Sequence, residues 1–110
     1  FERGVGFTNA CGTAMSASSL VTCLNGFNEL EQSIEVYNNG GKVRCVVHET
    51  DNGYWIALIG NATFVYKAIV EIEHSNFNRF TVSNKDTLAA ETIQYEKLQE
   101  SAREFLKSHF

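Results

Sequence analysis

The chain changes its hydrophobic period twice. From Ala10 to Leu24 small and apolar residues dominate, with Met15, Ser19, Leu20, Cys23 and Leu24 near helical spacing and no charged residue among them. The polar side chains of this stretch are short: Thr13, Ser16, Ser18, Ser19 and Thr22. The spacing predicts a helix, and a helix with no charged face wants burial on every side. Asn25-Gly26 supplies its stop signal, because glycine accepts the left-handed conformation past a helix end.

From Ser33 the period drops to two. Ile34 and Val36 alternate with polar neighbours, Asn38-Asn39-Gly40-Gly41 reads as a hairpin turn, and Val43, Cys45 and Val47 share one face of the returning strand. Asp51-Asn52-Gly53 makes a second turn, Tyr54 to Ile59 a third strand, and Gly60-Asn61 a third break. Thr63 to Glu73 reads as the longest strand. Phe64, Tyr66, Ala68, Val70 and Ile72 face one way on it; Val65, Lys67, Ile69 and Glu71 face the other. Ser75 to Asp86 is polar and asparagine-rich and reads as a connection. Thr87 to His109 returns to the helical period, with Leu98, Ala102, Phe105, Leu106 and His109 opposite Glu96, Lys97, Glu100, Arg103 and Glu104. Glu2 to Asn9 reads as a strand end running into a loop. The expected fold class is α+β: four antiparallel strands in a curved sheet wrapped around a central apolar helix, plus a terminal amphipathic helix.

Composition narrows the function. The net charge of -4 offers no basic patch for a phosphate backbone, so nucleic acid is not an expected partner. No run of about 18 apolar residues exists to span a membrane, and no signal-peptide pattern is visible. Phe1 is not an initiator methionine, so the chain is read as processed or cut from a longer one. The cysteines are three, Cys11, Cys23 and Cys45, with no C-x-x-C spacing, which argues against a disulfide framework or structural zinc and for a reducing, cytoplasmic setting. His48, His74 and His109 have no metal-ligand spacing, and no serine sits in a nucleophile elbow.

Chemistry concentrates in the first thirteen residues, Phe1-Glu2-Arg3-Gly4-Val5-Gly6-Phe7-Thr8-Asn9-Ala10-Cys11-Gly12-Thr13. Cys11 falls at the start of the predicted helix, where unpaired N–H groups and the helix dipole favour negative charge. The thiolate is the reactive form of cysteine. The N–H groups of Gly12 and Thr13 suit a carboxylate, Gly12 allows close backbone approach, and Thr13 adds a hydroxyl. On spacing alone the reading of Cys11 as a small buried core residue is favoured over the catalytic one, free cysteine being among the most buried residue types. Glu2-Arg3 alone reads as a solvated charge pair.

Taken together the stretch resembles the C-terminal catalytic motif of the diaminopimelate epimerases, written E-R-G-x-G and then A-C-G-T-G. The match is Glu2-Arg3-Gly4, Gly6 and Ala10-Cys11-Gly12-Thr13, with the spacing shared, and it extends to about Glu73. Ala14 departs from the family's usual glycine, and Ser16 from a second, non-catalytic cysteine in many members. The resemblance implies half of a two-domain fold, each half a sheet around a helix with one cysteine at its start. It implies a cofactor-independent isomerase that interconverts LL- and meso-diaminopimelate, without pyridoxal phosphate or metal, in lysine and peptidoglycan-precursor synthesis. One thiolate removes the α-proton and the other thiol returns a proton to the opposite face. By that resemblance Cys11 is one acid/base, Gly12 and Thr13 hold the reacting carboxylate, and Glu2 and Arg3 contact an amino-acid substrate. Residues 1–74 then form the epimerase-like domain, and residues 75–110 an extension with a helix at about 87–109. The implied partner is the missing N-terminal half with the second cysteine; Cys23 and Cys45 read as core residues, so the chain alone is expected to be inactive. Two alternatives stay open: a related isomerase of the same fold on another substrate, and a non-catalytic binding or homodimerising module.

Overall fold

The computed structural model describes residues 4–110. In chain order these form α1 (Gly12–Leu24), β1 (Ser33–Asn38), β2 (Gly41–Thr50), β3 (Gly53–Ile59), β4 (Tyr66–Ile72), β5 (Phe80–Thr87) and α2 (Ala89–His109). The described residues are α+β, with antiparallel sheets and two helices. It divides into two compact units, one holding the chain up to Asn61 together with Leu98–Phe110, the other Ala62–Lys97.

The first unit is built on a three-stranded sheet in the order β1-β2-β3. Two-residue connections set its register: Asn39-Gly40 closes the β1–β2 hairpin beneath the pair Asn38↔Gly41, and Asp51-Asn52 closes β2–β3 beneath Thr50↔Gly53. Helix α1 packs on β2 with β1 and β3 to either side. Of α1 and this sheet, the side chains withdrawn from solvent are Met15 and Ser19, one turn apart on α1, and Cys45 and Val47, which share a face of β2. The hydroxyl of Ser19 donates to the Met15 carbonyl at 2.9 Å, so its burial leaves no polar atom unpaired. At the C-terminal end of α1, Gly26 takes φ +74° and its N–H donates to the Cys23 carbonyl at 3.0 Å, as the stop signal requires.

Burial of α1 is one-sided, against the expectation from its lack of charge. Val21 and Leu24 remain more than half exposed. The reason is geometric: three strands about 5 Å apart make a surface scarcely wider than one helix of about 10 Å diameter, and cover one side of it.

The last three turns of α2 also belong to this unit. Ala102 is buried, Leu98 and Leu106 are half-buried, and Phe105 stacks on Tyr37 of β1 with ring centroids 4.1 Å apart. The apolar stripe read from the sequence is thus the packed one. His109 at the end of α2 donates to the Phe105 carbonyl at 2.9 Å, which is a capping role.

The second unit is the β4–β5 hairpin with the start of α2. Two expectations are corrected here. The stretch from Ser75 to Asp86 is not merely a connection, because Phe80–Thr87 forms a fifth strand paired with β4. Its alternation of Phe80 and Val82 with polar residues is short, and no face of it is buried, so the hydrophobic pattern gave little sign of a strand. The turn linking β4 to β5 therefore spans the boundary expected at residue 74. Thr63 to Glu73 is also not the longest strand: β4 runs only from Tyr66, and β2 is longer with 10 residues. The backbone before Tyr66 is satisfied elsewhere: Phe64 N–H donates to the Glu91 carboxylate at 2.9 Å, and Leu88 N–H to the Val65 carbonyl at 3.0 Å. Between Lys67↔Asp86 and Ile69↔Ser83 the ladder slips: Asn84, at φ +50°, and Lys85 of β5 stand opposite Ala68 alone, a bulge on β5.

Candidate active site at the start of the first helix

Cys11 is the N-cap of α1, with extended backbone at φ -141° and ψ 108°. The first helical hydrogen bond runs from Met15 N–H to the Cys11 carbonyl at 3.0 Å. The N–H groups of Gly12, Thr13 and Ala14 precede that bond, so the helix itself provides them no acceptor. The first turn carries no acidic residue and Cys11 makes no capping bond of its own. A half-buried thiol thus sits beside an electropositive backbone edge. Gly12 is half-buried and Thr13 exposed. Glu2 and Arg3 lie outside the described residues.

Gly12 also lies close to the sheet. A Cβ there would meet Leu58 Cδ2 of β3 at 3.0 Å, so the helix start lies directly against β3. Across the sheet, Gly40 N–H donates to the Asn9 carbonyl at 3.1 Å. Gly40 is buried, and a Cβ there would stand 3.1 Å from Ala10 Cβ and 3.3 Å from Asn9 Cβ. Asn38 ties this turn to the helix: its side-chain oxygen accepts from Gly40 N–H at 2.8 Å, and its Nδ2 donates to Met15 Sδ at 2.7 Å. Sequence reasoning marked Asn38 and Gly40 as turn residues only. No local signal shows that the turn lies against the two residues before Cys11.

The other cysteines differ in setting. Cys45 is fully buried on β2, and Cys23, near the end of α1, donates weakly to the Glu29 carbonyl at 3.6 Å. His48 is paired with Glu31 at 2.6 Å and stacked on Trp55. Among the described residues no group of three or more His, Cys, Asp and Glu is placed to hold a metal. The shifted titratable groups sit on the sheet. Lys42 and then Tyr37 hydrogen-bond the Glu35 carboxylate and hold it below its ordinary range, while Glu35 raises both partners; Glu49 raises Tyr54. An open cleft bordered by Ser18, Thr22, Tyr37 and Phe105 includes none of the residues around Cys11.

A small α+β unit with a cysteine at the N-cap position of a helix packed by one face on the sheet is the class that fold and site define. Comparison with curated proteins shows what the chain is similar to. The chain is 39% identical over 108 residues to the diaminopimelate epimerase of Clostridium acetobutylicum, covering 97% of this chain and 32% of that protein. It is 48% identical over 109 residues to that of Listeria monocytogenes serotype 4b, with 98% and 32% covered. With the enzyme of Ligilactobacillus salivarius it shares 51% over 96 residues, with 82% and 30% covered. The resemblance to the diaminopimelate epimerases therefore holds along nearly the whole chain, which spans about a third of the length of these relatives. No protein-family model and no solved structure matches the chain. No helix among the described residues is long and apolar enough to cross a membrane.

Proposed function

We propose that this chain is the C-terminal catalytic half of a cytoplasmic diaminopimelate epimerase and that Cys11 is one of its two acid/base thiols. The observation that carries the reading is the position of Cys11 at the N-cap of α1, within a chain similar to named epimerases from end to end. Inversion at an α-carbon needs a base on one face and an acid on the other. The Cys11 thiolate takes the α-proton in one direction; in the other its thiol donates one to the carbanion. Gly12 and Thr13 receive the α-carboxylate through backbone N–H groups, and the adjacent helix end stabilises the charge that spreads onto it in the transition state. Glu2 and Arg3 complete the substrate contacts. The reaction uses neither pyridoxal phosphate nor metal and serves lysine and peptidoglycan-precursor synthesis. The sheet and α1 are half of a two-domain fold, and the exposed side of α1 is closed by structure outside this chain. The second thiol comes from the N-terminal half, so the chain alone does not epimerise. The test is α-deuterium incorporation into LL-diaminopimelate in deuterated water, by the chain alone and with the N-terminal half of a relative added. Exchange with inversion only in the mixture, abolished by Cys11→Ala, is expected.

A further inference from the structure

The geometry points to the β1–β2 turn as the device that positions Cys11, with Gly40 and Arg103 as positioning residues. The inference rests on the reading of Cys11 as the reactive thiol. Three contacts run in series. From α2, Arg103 Nε donates to the Asn39 carbonyl at 3.0 Å and fixes the tip of the turn. The next residue, Gly40, donates its N–H to the Asn9 carbonyl at 3.1 Å and presses its Cα face against Ala10. Ala10 leads directly into Cys11, whose carbonyl starts the helix. Asn38 locks the same turn to the second residue pair of the first helical turn through Met15. The stacking of Phe105 on Tyr37 holds α2 over β1, so Arg103 is anchored at its other end.

The turn thus sets where the chain enters the helix, and hence whether the Cys11 sulfur can reach the N–H groups of Gly12 and Thr13. A methyl at Gly40 would force Asn9 and Ala10 outward by a few tenths of an ångström, because Ala10 Cβ, Asn38 Oδ1 and Asn9 Cβ all lie within 3.3 Å of it. Its backbone needs no positive φ, so the effect of Gly40→Ala is steric. Arg103→Ala removes the brace without touching the sheet, since Arg103 is exposed.

The experiment is alkylation of the 110-residue chain by iodoacetamide at fixed pH, with each cysteine followed by peptide mass spectrometry. Cys45, fully buried, reports the fold in the same sample. Gly40→Ala and Arg103→Ala are expected to slow Cys11 by about two- to fivefold, the size of one charge–helix-end interaction, while Cys45 stays protected. Arg103→Lys, which keeps a donor able to reach the Asn39 carbonyl, restores the rate. If Gly40→Ala unmasks Cys45 the fold has been lost, and Arg103→Ala alone decides. Unchanged Cys11 labelling with Cys45 protected overturns the inference. No substrate is involved, so failure here leaves the epimerase reading intact, and the exchange experiment, which reads substrate rather than thiol labelling, shows separately when that reading fails.

Discussion

Leu58 Cδ2 lies 3.0 Å from the point where a Cβ on Gly12 would stand, so the first residue of α1 is in contact with the third strand. Leu58 is 45% exposed, and its terminal methyl can rotate away. Gly12→Ala is therefore expected to cost less than about 1 kcal/mol of stability, as for most substitutions outside the core. On the proposed function, in which Gly12 receives the substrate carboxylate, it should lower kcat/KM of the complete epimerase by more than about tenfold, the equivalent of one charged hydrogen bond, because the new methyl narrows that approach. Thermal melting and steady-state kinetics on the same variant separate the two effects. A large drop in melting temperature would mean that Leu58 cannot yield.

The three cysteines should label in an order set by their surroundings. Iodoacetamide is expected to modify Cys11 first, Cys23 later and Cys45 only on unfolding, because Cys45 has no exposed surface. Peptide mapping over a time course reads the order directly. Labelling of Cys45 as early as Cys11 in folded protein would contradict the packing of β2.

Met15 is the apolar side chain through which α1 enters the core, at 8% exposure. Met15→Ala leaves a cavity and removes the sulfur that accepts from Asn38. The expected loss is about 2–5 kcal/mol. That is a large part of what a domain of this size holds, so urea denaturation should show a much lower midpoint. Met15→Leu should recover most of it.

The Glu35–Lys42–Tyr37 cluster makes a pH prediction. Glu35 bonds Lys42 at 2.7 Å and Tyr37 at 2.6 Å, which lowers the carboxylate below its ordinary 4.5. A lowered folded-state value contributes stability above pH 4.5 that is lost as pH falls through the folded value. Lys42 and Tyr37 are raised from 10.5 and 10.0, so their contribution is present below those values and lost as pH rises through the folded ones. All three groups are at the surface, so the effect is small and screened by salt. Glu35→Gln should flatten the acid limb of the melting-temperature profile at low ionic strength and leave neutral pH nearly unchanged. An unaltered acid limb would mean that the cluster does not persist in solution.

How much of this was legible in the sequence depends on how local the signal is. The chargeless run to Leu24 and the Asn25-Gly26 stop locate α1, since its caps are written in neighbouring residues. Asn39-Gly40 locates the hairpin for the same reason. The fifth strand was hidden, because Phe80–Thr87 is exposed throughout and carries no burial pattern to read. Cys11, Gly12 and Thr13 form a contiguous motif, so their adjacency at a helix start follows from the chain. The contacts of Gly40 with Asn9 and of Leu58 with Gly12 join residues 31 and 46 positions apart. Nothing in periodicity or turn chemistry pairs them; only the packing of α1 across β2 does.

The central claim is that Cys11 is one of two thiols that flank a substrate α-carbon. It is tested most directly by following α-deuterium incorporation and stereochemistry in LL-diaminopimelate in deuterated water. The chain alone should give no exchange, and the chain with an N-terminal epimerase half should give exchange with inversion that disappears in Cys11→Ala. Undiminished inversion by the Cys11→Ala mixture would contradict the account.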